Sequence, residues 1–225
     1  MCSIAQALST IRSTLPEGVE LVAVSKFHGA DAIAEAYAAG QRAFGESRVQ
    51  ELLNKIPALP ADIRWHFIGH LQTNKVRALL STGSVALIES VDSERLLRLI
   101  DAESERLGIV SRVLMQVHVA QEETKFGFLP GELTSFFSRR AFESLKATHI
   151  CGIMGMASNT DNEARIAADF ASRATLHRNI LEMAPDLRGF NTISMGMSDD
   201  YPLAIAAGST LVRVGTAIFG SRTTN

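Results

Sequence analysis

Thr210-Leu211-Val212-Arg213-Val214-Gly215-Thr216-Ala217-Ile218-Phe219-Gly220, read together with Val22-Ala23-Val24-Ser25-Lys26 near the other end of the chain, decides the architecture. Each is an apolar run that ends on polar groups. In a closed eight-stranded parallel barrel the first and last strands are neighbours. Lys26 and Arg213 would then lie side by side at the C-terminal mouth, where such barrels keep their sites.

Between these two segments, apolar strand-like runs alternate with amphipathic helical stretches. Eight strand candidates cover residues 19–26, 42–46, 64–70, 85–91, 112–119, 149–156, 191–196 and 210–219. Helical patterns cover 31–39, 74–80, 93–107, 162–183 and 200–207, after an opening helix that carries Ile4, Leu8, Ile11 and Leu15 and is closed by Pro16 and Gly18. Gly40, Gly83, Gly108 and Gly208 stand where helices should stop. Eight βα units on 225 residues predict an α/β fold, a single (β/α)8 TIM barrel. A doubly wound open sheet shares the alternation and stays open as the competing architecture. No linker, low-complexity run or break in composition interrupts the chain, so one domain over residues 1–225 is expected.

At 46% hydrophobic and 20% charged residues, the chain can bury one large core. A formal net charge of -2 leaves no excess of cations to track phosphates. That argues against nucleic acid or a membrane surface as partner. Cys2 and Cys151 are too few for a disulfide framework or a cysteine-built zinc site, and they fit a reducing cytoplasm. Residues 1–15 show no cationic start followed by an unbroken apolar run, and no stretch reaches the roughly 18 apolar residues of a membrane span. A soluble, cytoplasmic protein is expected.

Strand parity indicates which side chains share a cavity. Val22, Val24 and Lys26 fall on one face of the first strand. If that row lines the barrel, Lys26 emerges at the mouth with little water around it. Desolvation and a nearby guanidinium both disfavour its ammonium form, which frees the amine to condense with an aldehyde. Arg213 shares its face with Leu211 and Gly215 and must find an acceptor, because an unpaired buried guanidinium is costly. A pyridine nitrogen is one such acceptor, and the contact would keep that ring nitrogen unprotonated. Gly215-Thr216 offers backbone N–H groups that no side chain blocks, plus a hydroxyl donor. A lysine, an arginine and such a corner suit an aldehyde cofactor carrying a phosphate. The plainer readings are a solvated strand-end lysine and an arginine in an ion pair.

The seventh strand, Thr192-Ile193-Ser194-Met195-Gly196-Met197-Ser198-Asp199-Asp200, supplies the neighbouring half of a phosphate cup. Ser194 is expected to point inward with Thr192 and to converge with Gly215 and Thr216, because barrels recurrently bind phosphate in the loops after strands seven and eight. Ser198 and Asp199 are expected to cap the next helix. His66 and His70, four strand residues and about 13 Å apart, are too distant to chelate one metal, and no metal site is expected. Glu122-Glu123 reads as a solvated loop. Phe126, Phe128, Phe136, Phe137, Met154, Met156, Met195 and Met197 read as packing.

Several segments together resemble the YggS/PROSC family of pyridoxal-phosphate homeostasis proteins. They are Val22 to Lys26, Phe44-Gly45-Glu46-Ser47-Arg48-Val49-Gln50-Glu51, Trp65-His66-Phe67-Ile68-Gly69-His70-Leu71-Gln72-Thr73-Asn74-Lys75, Ser194 to Asp200 and Val212 to Gly220. The resemblance runs in order over nearly the whole chain. It implies a barrel like the N-terminal domain of alanine racemase (fold type III), with pyridoxal 5'-phosphate (PLP) held as a Schiff base on Lys26. It further implies Arg213 at the pyridine nitrogen, and Ser194, Gly215 and Thr216 at the phosphate. Relatives usually carry Asn where this chain has Ser47. Such an Asn can donate an amide N–H toward the cofactor's ring oxygen, whereas the shorter Ser47 hydroxyl needs a water to reach it. His118 stands where an Asn is common and is noted as a pocket variant with no role assigned.

The resemblance points to binding, buffering and delivery of PLP to apo-enzymes, by a monomer and without established turnover. The alternative is a PLP-dependent amino-acid racemase using His70, His118 or Tyr201 as its second base. A third reading is an aldolase-type barrel in which Lys26 meets a substrate carbonyl with no cofactor.

Overall fold

The computed structural model describes residues 3–118 and 126–220. Eight strands, β1 (Glu20–Val24), β2 (Ala43–Glu46), β3 (Arg64–Phe67), β4 (Val85–Val91), β5 (Ser111–Gln116), β6 (Thr148–Met154), β7 (Thr192–Ser194) and β8 (Leu211–Val214), pair in sequence order and close into a barrel. All pairings are parallel, and β1 meets β8 in the register Val22 to Arg213 and Ala23 to Val214. Closure excludes the open doubly wound sheet.

The outer helices are α1 (Ile4–Thr14), α2 (Ala30–Ala38), α3 (Val49–Lys55), α4 (Val76–Leu80), α5 (Glu94–Leu107), α6 (Pro130–Ser138), α7 (Glu163–Met183), α8 (Tyr201–Ala206) and α9 (Thr216–Phe219). Their ends follow local chemistry. Ser3 accepts the Gln6 N–H while the Gln6 side chain accepts the Ser3 N–H, both at 3.2 Å. This reciprocal cap satisfies two donors that α1 would otherwise orphan. Ser93 caps α5 through the Leu96 N–H, and Gly108, at φ 67°, ends it in the left-handed conformation.

Period-two alternation divides the apolar residues into two sets. Leu21, Ala23, Phe44, Val113, Met115, Val212 and Val214 face the helices in the large outer core. Val22, Ala43, Leu87, Leu114, Cys151, Met154 and Leu211 form a separate cluster inside the barrel. Above that apolar plug the inward positions turn polar, with His66, Glu89, Ser194 and Arg213 all buried. The seam between β6 and β7 is tight enough to demand glycine. A Cβ on Gly152 would lie 1.8 Å from the Thr192 carbonyl oxygen, and its φ of +152° is unfavourable for other residues.

Three expectations need correction. The last strand ends at Val214, not Phe219, because the backbone turns at Gly215 and helical bonds from Phe219 N–H to Gly215 O and from Gly220 N–H to Thr216 O, both 2.9 Å, take over. The third strand ends at Phe67, so His70 lies beyond it. Lys26 and Arg213 do not stand abreast, since Arg213 pairs with Val22, four residues before the lysine. The Glu122-Glu123 run and Val119, expected to end the fifth strand, lie outside the described residues.

Candidate functional site

Lys26 follows the end of β1 in a turn closed by His28 N–H to Ser25 O, at 3.1 Å. Its neighbours are tied from behind. The Ser25 hydroxyl donates to Glu46 Oε1 at 2.6 Å, and the Phe27 N–H donates to Glu51 Oε1 at 2.6 Å. Lys55 completes the clamp, donating to Ser25 O at 3.0 Å and to Glu46 Oε1 and Glu51 Oε1, each at 2.7 Å. Phe27 is held at φ 69°, a conformation that costs a non-glycine residue roughly 1–2 kcal/mol. Burial raises the Glu46 pKa above its usual value, and hydrogen bonds from Lys55 and Ser25 oppose the shift without cancelling it.

In front of this clamp lies a cavity of about 230 Å³. Its polar wall comprises Lys26, Ser47, Ser198, Asp199, Arg213 and Thr216, with Gly215 between the last two. Val24, Ile68, Met154, Met156 and Met197 form the apolar wall. Three of the methionines expected to serve packing alone therefore line the cavity, while Met195 is fully buried. Phe126 packs at the surface and outside the core: it is 53% exposed and stacks on His70 at 3.7 Å.

Five of the six expected site residues, Lys26, Ser47, Arg213, Gly215 and Thr216, thus meet at one cavity, although they come from the ends of β1, β2 and β8. Ser194 is inward-facing as expected but does not line it. Its hydroxyl lies in the buried polar layer, donating to Glu89 Oε2 at 2.5 Å and accepting from Arg213 Nη1. Ser198 takes the place expected of Ser194. It does not cap α8: Asp200 occupies the cap position with no side-chain cap bond. The Ser198 Oγ instead accepts the N–H groups of Gly215 at 3.3 Å and Ala217 at 3.4 Å, stitching the loop after β7 to the one after β8. Gly215 packs closely on β1, where a Cβ would come 3.2 Å from the Val24 carbonyl oxygen and require that strand to give by a few tenths of an ångström.

Glu89 escaped the sequence reading, although a carboxylate sharing parity with Leu87 on a buried strand is a signal that a partner must exist. Burial alone would raise its pKa, but His66, Arg213 and Ser194 together hold it below the usual carboxylate value. His66 Nδ1 lies 2.7 Å from Glu89 Oε1, and Arg213 Nη1 lies 3.6 Å from Oε2.

A lysine at the mouth of a closed (β/α)8 barrel, faced by an arginine from the last strand and a Gly-Thr corner, defines a protein of the alanine racemase N-terminal class. The family model described as "Alanine racemase, N-terminal domain" matches residues 2–223. The chain belongs to the family of pyridoxal phosphate homeostasis proteins. It is 38% identical over 231 aligned residues to the pyridoxal phosphate homeostasis protein of Schizosaccharomyces pombe, covering 100% of this chain and 95% of that one. PipY of Synechococcus elongatus PCC7942 is 40% identical, with 97% of this chain and 100% of PipY covered. It superposes with a TM-score of 0.91 in its structure without PLP and 0.87 in its structure with PLP bound.

Proposed function

We propose that this chain, acting as one domain over residues 1–225, binds PLP in the 230 Å³ cavity and serves intracellular PLP homeostasis by binding, buffering and delivering the cofactor. The observation that carries this reading is the convergence of Lys26, Arg213 and the Gly215-Thr216 corner on that cavity. The donor set fits the group: an amine for an aldehyde, hydroxyls and a glycine approach for a phosphate, and apolar walls for a ring. Once bound, PLP supplies an electrophilic aldehyde carbon and an electron-withdrawing ring.

Lys26 is the amine that holds the aldehyde carbon, and the clamp of Glu46, Glu51 and Lys55 fixes the backbone on both sides of it. Arg213 donates toward the pyridine nitrogen. Ser198, Gly215 and Thr216 take the phosphate, while Ser194 supports Arg213 from below. Ser47 lines the cavity and would reach the ring oxygen of a bound cofactor only through a water.

A racemase would need a second base across the ring from Lys26. None of the three candidates is among the residues that line the cavity. His70 Nδ1 is paired with Asp92 at 2.9 Å, and the Tyr201 hydroxyl is bonded to Thr14 at 3.0 Å. His118 Nδ1 is buried without a hydrogen-bond partner among the described residues, away from the cavity lining. These placements favour a carrier over a catalyst. In this reading the protein acts as a cytoplasmic monomer that hands PLP to apo-enzymes without nucleic acid or membrane partners. Among the described residues no helix is long and apolar enough to cross a membrane.

The test is an absorption spectrum with and without added PLP, for wild type and Lys26→Ala, followed by borohydride reduction and peptide mapping. A visible band that is lost in the variant, with the reduced adduct on Lys26, is expected. No band in either protein overturns the reading in favour of the aldolase-type barrel. Isotope exchange at an amino acid's α-carbon would overturn the carrier role in favour of the racemase.

A further inference from the structure

Four inward-facing side chains cross the barrel interior beneath the cavity, from β3 through β4 and β7 to β8. His66, Glu89, Ser194 and Arg213 are 4%, 0%, 0% and 5% exposed. Only Arg213 also lines the cavity. The bonds have one consistent direction. Arg213 is a donor only, so the Ser194 oxygen accepts from it, and the single Ser194 proton goes to Glu89 Oε2. The other Glu89 oxygen stands 2.7 Å from His66 Nδ1, which must carry a proton if the carboxylate is ionised. Arg213 Nη2 donates to Gly155 O at 3.1 Å, fixing the guanidinium plane from the β6 side.

The arrangement has an electrostatic consequence. A guanidinium this deeply buried is costly unless an anion shares the low-dielectric interior. The nearest anion here is Glu89, 3.6 Å away, with Asp200 contributing less. A cofactor that brings a phosphate and a phenolate offers competing anions. With Glu89 behind it, Arg213 is already compensated and keeps its remaining N–H donors for a neutral acceptor. Without Glu89 the guanidinium is drawn toward the cofactor's own charges and leaves the ring nitrogen.

We propose that Glu89, oriented by His66 and linked through Ser194, is a positioning residue that holds Arg213 on the pyridine nitrogen of bound PLP. This rests on the PLP reading above and adds to it a determinant of how the ring is recognised. Glu89 and His66 touch no ligand; they act through the arginine.

The experiment is a spectrophotometric titration with two ligands, PLP and its carbocyclic analogue in which C–H replaces the ring nitrogen. It is run on wild type, Glu89→Gln and His66→Gln, with apo-protein melting temperatures recorded beside it. In wild type PLP binds more tightly than the analogue. Glu89→Gln should shrink that preference at least tenfold and His66→Gln should shrink it less, with affinity for the analogue changed under threefold. Loss of both ligands in equal proportion, or an unchanged preference, overturns the proposal, since a merely structural role would not distinguish the two rings. If Glu89→Gln does not fold, Ser194→Ala carries the same comparison with the same two outcomes. Wild type that binds neither ligand defeats the cofactor reading itself, a result distinct from failure of this proposal.

Discussion

Lys55 Nζ stands 2.7 Å from Glu46 Oε1 with both side chains almost fully buried, and the same ammonium reaches the Ser25 carbonyl beside Lys26. Removing the cation alone leaves a buried carboxylate without compensation, which typically costs about 3–5 kcal/mol. Lys55→Met should therefore lower the urea midpoint sharply at pH 7, and Lys55→Met with Glu46→Gln should regain much of the loss. The single variant should also react more slowly with PLP at Lys26, because the Ser25 carbonyl loses its donor and Glu51, which holds the Phe27 N–H, loses the ammonium that anchors it. Equal stability of wild type and Lys55→Met would show that the clamp contributes nothing.

Ser198 and Ser194 are separated by one turn of chain but by a whole layer of the barrel. Ser198→Ala removes a hydroxyl that lines the cavity and bridges the Gly215 and Ala217 N–H groups, and should weaken PLP more than pyridoxal, which lacks the phosphate. Ser194→Ala removes a link buried below the cavity and should affect the two ligands about equally. Titrating both variants with both ligands decides the assignment. A phosphate-selective loss in Ser194→Ala would restore that serine to the cup.

The barrel was legible because strands and helices differ in period, so eight alternations survive even where the boundaries slip. Inward parity was legible too: Val22, Val24 and Lys26 do share a face, as do Leu211, Arg213 and Gly215. Depth along the barrel axis was not, because parity says in or out and is silent on layer. That is why Ser194, correctly read as inward, lies below the cavity. The clamp was hidden for a different reason. Residues 49–55 carry no helical expectation, so the i, i+4 spacing of Glu51 and Lys55 on α3 passes unnoticed, and only the adjacency of β1 and β2 brings Ser25 and Phe27 to them.

Gly152 and Gly131 set opposite limits on substitution. A Cβ on Gly152 meets the Thr192 carbonyl at 1.8 Å, and carbonyl backbone cannot swing aside without parting β6 from β7. Gly152→Ala should abolish cooperative folding or cost more than about 3 kcal/mol. Gly131 sits in the first turn of α6 with nothing within 4 Å of the added carbon. Gly131→Ala should raise stability by about 0.5 kcal/mol through helix propensity alone. Urea unfolding of the pair checks both, and a well-folded Gly152→Ala would contradict the tight seam.

His177 on α7 is 7% exposed and stacks on Phe190 at 4.8 Å. Burial pulls its pKa from 6.5 down to about 4, against a backbone hydrogen bond with Phe190 that favours the charged ring. The folded pKa lies below the unfolded one, so between these values the unfolded chain takes up a proton that the folded chain refuses. The contribution is present in full above about pH 6.5 and is lost as pH falls toward 4. It amounts to roughly 2 kcal/mol once partial solvent access is allowed for. His28, whose pKa is lowered by burial and then by Lys55, acts in the same sense. Carboxylates held below their usual values, such as Asp169 and Glu94, act only at more acid pH, whereas Glu46, held above its usual value by burial, opposes the fall to the same extent in wild type and in a His177 variant. Urea midpoints at pH 7.5, 6 and 5 should therefore fall steadily in wild type. In His177→Leu, where the proton acceptor is gone and an apolar side chain still packs against Phe190, the decline should be much shallower. Parallel slopes in the two proteins would mean that the His177 ring already takes up its proton in the folded state.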